Sequence, residues 1–389
     1  MSSRSFWNLP GPENFCDRVL ANLVEGRSLI LFLPDRIPEG LKRAVMSDVA
    51  RETPDKCFDE LFPSDLDPEA TPLTSLFRFF EVEPEEKWSG NVLSYETLAR
   101  SESFKNRILW IEETNDLKIV EWLSFLRKYE RASRNIELAE RSLVCFCIFG
   151  RPPESVEIKE DVCLKFLPWR GYVDFFDMFL YAHWTFPRSS EGDLRRQLAL
   201  NMAACLALWD PEVIDRLAEI PFLETLAPYA ILEEMGRERG WNAKGFEPRW
   251  ENGAGERRNG RLTPHSAFLA LNGSMKELNL RLWKGQNTCL FPLIEEQRLK
   301  IIESLKGRLK LPFPSSYDHL IKEAEDLEIG HVWFQIESGD LQVTEAKKQQ
   351  VSRLRWLRNV LAHQQIAKPA DLEFLIGCSK DSSDLYAAY

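Results

Sequence analysis

The sequence predicts an α/β region built on a mostly parallel sheet, followed by an all-α region, and three features carry that expectation. Continuous apolar runs recur in the front half: Ser28–Leu33, then residues 107–111 and 142–149, with a shorter relative at 162–167. From about residue 189 the apolar spacing changes to the three-to-four rhythm of helices. Between residues 242 and 260 a stretch rich in glycine, asparagine and charge interrupts both patterns.

Each element follows from local chemistry. Strands that alternate apolar and polar residues bury one face, whereas uninterrupted runs belong to strands covered on both, as in a parallel sheet with flanking helices. Residues 1–188 are therefore expected to form such a domain, with a helix over 117–141 as the clearest connector. Residues 189–245 read as helical: 193–208 as an amphipathic helix, and Asp210-Pro211-Glu212 as the start of another, with a capping residue and a proline in the first turn. Residues 246–264 have linker composition, and 265–389 read as a helical domain. There Phe291-Pro292 looks like a helix start, with Leu290, Ile294, Ile301 and Leu305 on one face, Arg298 at its edge and Glu295 just beyond. Residues 311–340, with Pro312, Pro314 and the short apolar run 332–336, read as an insertion between two helices.

With 389 residues, 44% hydrophobic and 29% charged, the chain has room for two or three domains with full cores. No apolar run of membrane-spanning length occurs, and Met1-Ser2-Ser3-Arg4-Ser5-Phe6-Trp7 lacks the apolar core of a secretory signal, so a cytoplasmic protein without a membrane partner is expected. Cys16, Cys57, Cys145, Cys147, Cys163, Cys205, Cys289 and Cys378 are scattered and several lie in apolar runs, which suits buried thiols in a reducing compartment. None of the five histidines stands at metal-ligand spacing from a cysteine, so neither a metal nor another cofactor is expected. The net charge of −11 lies wholly in the first 264 residues, because from 265 onward 16 Lys+Arg balance 16 Asp+Glu. Within that neutral tail Lys347, Lys348, Arg353, Arg355 and Arg358 form a basic run with no acid between them, suited to one segment of a phosphate backbone or, more plainly, to a solvated helix face.

The same helix carries the most informative stretch, Arg358-Asn359-Val360-Leu361-Ala362-His363. At about 100° per residue, Val351, Leu354, Leu357 and Leu361 form an apolar arc with Arg358 inside it, while Asn359 and His363 stack on one flank. A fixed cation and a group that moves protons at neutral pH are what a phosphodiester reaction needs. The alternative is structural: Arg358 pairs with a buried carboxylate, and His363 caps the helix end.

This stretch resembles the motif of the HEPN superfamily: Arg, a polar residue that is often Asn, three residues, then His. The resemblance implies a HEPN-like bundle over 265–389 and metal-independent RNA cleavage. In that reaction the 2′-hydroxyl attacks the adjacent phosphorus, His363 moves a proton, Arg358 stabilises the phosphorane charge, and Asn359 orients His363 or a phosphate oxygen. It also implies an acidic residue against Arg358 from an earlier helix, for which Glu295 is the first candidate and Glu296 the second. One histidine does not readily serve nucleophile and leaving group together. HEPN nucleases pair two domains, so a homodimer or a partner protein is implied, with RNA as substrate.

The front region is similar in order and spacing to the P-loop core of AAA+ and STAND proteins, and residues 189–245 then resemble its helical lid. The run from Gly26 to Pro34 resembles the lead-in to a Walker A loop, and Ile108-Leu109-Trp110-Ile111-Glu112-Glu113 a Walker B strand. After Pro34, however, Asp35-Arg36-Ile37-Pro38-Glu39-Gly40-Leu41-Lys42 contains no Gly-Lys-Ser/Thr, so the phosphate cradle is missing and the sheet reads as degenerate. An active nucleotide hydrolase is opposed by the missing phosphate lysine, which leaves two readings ahead of it. One is a HEPN-type endoribonuclease or RNA-binding effector of a bacterial antiphage or conflict system. The other is a non-catalytic subunit with an inert sheet and a dimerising bundle.

Overall fold

The computed structural model describes residues 6–62, 67, 69–87, 90–113, 116–138, 140–150, 162–187, 194–258, 260–314 and 320–386. The chain divides into two compact units, Met1–Asp177 with Ala243–His265, and Met178–Asn242 with Ser266–Tyr389.

In the first unit, α1 (Pro10–Val24), β1 (Ser28–Leu33), α2 (Leu41–Glu52), β2 (Cys57–Leu61), α3 (Pro72–Phe79), β3 (Glu85–Lys87), β4 (Gly90–Val92), α4 (Tyr95–Arg100), β5 (Arg107–Glu113), α5 (Asp116–Ser133), β6 (Leu143–Phe149) and β7 (Leu164–Pro168) follow one another. Five strands form one parallel sheet in the order β2-β5-β6-β1-β7. The α/β expectation therefore holds. Ile30 on β1 lies opposite Phe146 on one side and Phe166 on the other, and every residue of β6 from Leu143 to Ile148 is fully buried. That two-sided burial explains why these runs show no alternation. Ser28 is buried too, and its polar atoms are satisfied within the sheet: its N–H donates to the Cys163 carbonyl at 2.9 Å and its hydroxyl accepts from the Val144 N–H at 3.1 Å.

Several expectations give way to tertiary chemistry. Helix α5 stops at Ser133 instead of running to 141, because the Arg141 guanidinium donates to the carbonyls of Arg134 and Ile136 and folds the segment back toward β6. The Tyr129 hydroxyl, donating to the Ser142 carbonyl at 2.9 Å, fixes that return. Cys145 and Cys147 are buried thiols that burial pushes well above the ordinary range, whereas Cys57, on the edge strand β2, is exposed. The side chain of Cys378 lies outside the described residues.

The segment expected as an exposed linker instead carries the hairpin β8 (Gly255–Arg258) and β9 (Arg261–Pro264) and clusters with the first unit. Ala254 and Glu256 are buried, and Glu256 accepts from the Gly171 N–H at 2.5 Å. Its glycines and asparagines serve turns: Gly253 has a φ of 69°, and the Asn252 side chain accepts from the N–H groups of Arg249 and Ala254. Turns and linkers draw on the same residue types, so composition does not separate them.

The second unit is helical: α6 (Phe175–Thr185) enters it, then α7 (Leu194–Ala207), α8 (Pro211–Ala218), α9 (Phe222–Thr225), α10 (Tyr229–Glu238), α11 (Ser266–Leu271), α12 (Met275–Leu305), α13 (Ile329–Glu337), α14 (Glu345–Ala362) and α15 (Pro369–Tyr386). Asp210 caps α8 as expected, accepting from the Glu212 N–H at 3.0 Å. Asp193 lies outside the described residues, and α7 is buried all round from Leu198 to Ala204, not amphipathic. It packs on α12 so closely that a Cβ at Gly285 would stand 2.6 Å from the Met202 Cα. Nor does α12 begin at Phe291: Pro292 lies inside one long helix, where burial of Leu290, Ile294, Ile301 and Leu305 offsets the roughly 3 kcal/mol an interior proline costs. No helix among the described residues is long and apolar enough to cross a membrane.

Candidate functional site

Helix α14 positions the motif. Thr344 caps its start, accepting from the Lys347 N–H at 3.3 Å, and Val351, Leu354, Leu357, Val360 and Leu361 bury its inner arc. Its end is unusually well specified. Gln364 takes a left-handed conformation, with φ 56°, so that its N–H reaches the Leu361 carbonyl and the Gln365 N–H reaches Val360, the bond pattern of a Schellman cap. From α12 the Trp283 indole donates to the Leu361 carbonyl at 2.7 Å. Buried Gln286 clamps Ala367, accepting from its N–H at 2.8 Å and donating to its carbonyl at 3.2 Å. His363, the cap residue, thus projects from an anchored backbone.

The motif's side chains meet different surroundings. His363 is exposed, and its ring has no hydrogen-bond partner among the described residues; only its backbone N–H is engaged, with the Asn359 carbonyl at 3.0 Å. Asn359 is half-buried on the same flank. Arg358 donates to Glu328 at 3.2 Å, and this pair is open to water, with side-chain exposures of 33% and 61%. Arg358 and His363 are five positions apart, about 140° around the helix axis, so within one chain they face different directions.

The carboxylate on Arg358 is Glu328 and not Glu295. Glu295 is taken by its own helix, pairing with Arg298 at 2.7 Å, three residues on, while Arg298 also donates to the carbonyls of Glu325 and Leu327. Glu296 is exposed. Glu328 comes from residues 311–340, the segment expected as an insertion between two helices. It is the N-cap of α13 and is tied to His331: the Glu328 carbonyl accepts from the His331 N–H at 2.9 Å, and the His331 Nδ1 accepts from the Glu328 N–H at 3.1 Å, one half of a capping box. His331 stands against the Phe313 ring. A glutamate three positions before a histidine was the available signal, but the capping box is usually written with Ser or Thr first.

The outer face of α14 is basic. Lys348 pairs with Glu337 at 2.9 Å, but Arg353 lies over the Phe374 ring at 4.8 Å and Arg355 over Trp333 at 6.0 Å, and Lys347 donates to Gln350. Among the described residues these last three cations have no carboxylate partner.

Open parallel sheets place ligands at the carboxyl ends of the strands, and in the first unit the described residues crowd together at the ends of β1 and β6. The Asp35 N–H donates to the Glu251 carbonyl at 2.8 Å, and the Asp35 carboxylate stands where a Cβ on Gly150 would fall. Lys42, on the helix after β1, is paired with Glu60. Glu112 accepts from the Trp110 indole at 2.8 Å, and the Glu113 side chain lies outside the described residues. No group of three His, Cys, Asp or Glu among the described residues is placed to hold a metal. No protein-family model matches this chain, and no curated protein does.

Proposed function

We propose that this chain is a HEPN-type, metal-independent endoribonuclease that acts as a homodimer, of the kind bacteria use against phage, with a degenerate P-loop-like sheet as its scaffold. The observation that carries the reading is the state of His363: an imidazole exposed to solvent with no side-chain partner among the described residues, on a helix end anchored by Trp283, Gln286 and a Schellman cap. The anchored backbone fixes where the ring projects, and the exposed ring is accessible to a substrate. Arg358 argues the same way, because its carboxylate is exposed and an incoming phosphate can displace it.

The roughly 140° between Arg358 and His363 supports two copies per site. One His363 takes the proton from the 2′-hydroxyl as its oxygen attacks phosphorus. The His363 of a second copy protonates the departing 5′-oxygen, and an Arg358 guanidinium carries the phosphorane charge. The products are a 2′,3′-cyclic phosphate and a 5′-hydroxyl. In the first unit, the carboxylate of Asp35 at the strand ends, and a Lys42 already paired with Glu60, disfavour a bound triphosphate.

The test is incubation of the purified protein with total RNA in EDTA, beside His363→Ala. Cleavage that survives the chelator and disappears in the variant is the expected result. Cleavage abolished by EDTA, or undiminished in the variant, overturns the reading, and RNA binding without cleavage assigns the chain to the non-catalytic class.

A further inference from the structure

Trp356 is 46% exposed, an unusual position for an indole on a helix whose inner arc is fully packed. It stands three residues before Asn359 and seven before His363, so the three lie along one stripe of the outer face, with Trp356 about two turns from the histidine. Arg355 is its neighbour and Arg353 lies one turn back; both are held by aromatic rings rather than by carboxylates. The only acid on α14 is Glu345, at the far end of the helix. An exposed indole beside cations that have no acidic partner among the described residues, in line with an exposed imidazole, has the chemistry of single-stranded nucleic acid binding, in which bases stack on aromatics while the phosphates track positive charge.

We infer that Trp356 is the base-stacking platform of the site, and that the substrate is single-stranded RNA, with one unpaired base on the Trp356 indole and the adjoining backbone running along Arg353 and Arg355 toward His363. The inference rests on the ribonuclease reading for its site. It adds selectivity: a base in a duplex is already stacked and cannot reach the indole, so double-stranded RNA binds only through its phosphates.

The experiment uses the full chain carrying His363→Ala, so that the probe stays intact, and measures anisotropy of a labelled random-sequence 12-nucleotide RNA as a single strand, as a duplex and as an abasic strand. Trp356→Ala should weaken the single strand about tenfold, the loss of one stacked base, and leave the duplex and abasic strands unchanged. Trp356→Phe should recover most of the loss. Equal affinity of the single strand for Trp356→Ala and its parent overturns the inference, as does an equal loss on all three probes. A variant that dissociates to monomers in sedimentation, with affinity per site unchanged, assigns Trp356 to a protein interface instead. Failure of the function reading looks different: His363→Ala still cleaves, or the parent binds no RNA at all. In the first case the catalytic role of His363 falls, and the same three-probe comparison on 2′-O-methyl strands, which cannot be cleaved by 2′-hydroxyl attack, decides stacking; in the second both fall.

Discussion

Arg239 and Arg358 are both arginines of the helical unit held by glutamate or aspartate, and they differ in what surrounds the charge. Arg239 is 5% exposed and pairs with Asp210 at 2.6 Å and Glu212 at 2.5 Å, with the Trp241 ring beneath it. It ties the end of α10 to the cap of α8. Arg358 has one exposed partner among the described residues and leaves a third of its own side chain, 33%, open to water. A buried pair is costly to break because removing one member strands the other in a poor dielectric, whereas an exposed pair exchanges its partner for water at little cost. The first arginine is placed for architecture. The second is placed where a ligand can reach it.

Substitution should separate the two sharply. Arg239→Ala is expected to lower the unfolding free energy by about 3 kcal/mol, read from the urea midpoint at constant slope. A loss under about 1 kcal/mol would erase the contrast. Arg358→Ala should change stability by no more than about 1 kcal/mol. It should also lower RNA cleavage by roughly a hundredfold or more, the usual scale for removing a charge stabiliser from a transition state. If Arg358→Ala instead unfolds the chain as readily as Arg239→Ala, the motif arginine is structural and the reading of α14 fails with it.

How much of this was legible in the sequence depends on how local each determinant is. The apolar runs at Ser28–Leu33 and 142–149 announce strands because burial on both faces leaves no room for polar residues, and Asp210-Pro211 announces a helix because capping is decided within four residues. The strand order is not local: β1 lies between β6 and β7, which are over a hundred residues away in sequence, and nothing in its own composition selects them. Glu295 does not reach Arg358 for a related reason, since an i,i+3 partner, Arg298, lies on its own helix and local pairing takes precedence. Helix α13 carries a weak local signal because its apolar run 332–336 is short and its cap is Glu328 rather than Ser, Thr, Asp or Asn. Trp356 stood in plain view within the motif stretch, but exposure is a tertiary property that no spacing rule reports.

The smallest effect bears on why His363 is held so firmly. Gln364 adopts φ 56°, a conformation that costs an L residue roughly 1 kcal/mol and that glycine takes freely. The Schellman bonds and the clamp of Gln286 on Ala367 keep it there. Gln364→Gly should therefore raise stability by up to about 1 kcal/mol through relief of that strain, less whatever the unfolded chain gains in freedom. Cleavage should change little, because the backbone path beneath the imidazole is unchanged. Strain retained with no functional return would predict the same gain in stability, so the deciding variant is Gln364→Pro, which cannot adopt a positive φ or donate to the Leu361 carbonyl. Loss of cleavage in Gln364→Pro, with the unfolding free energy lowered by only about 3 kcal/mol and the chain still folded, ties activity to the helix end. Full activity in that variant would show that the position of His363 does not depend on the cap, and the contrast between a structural and a functional arginine would then rest on Arg358 alone.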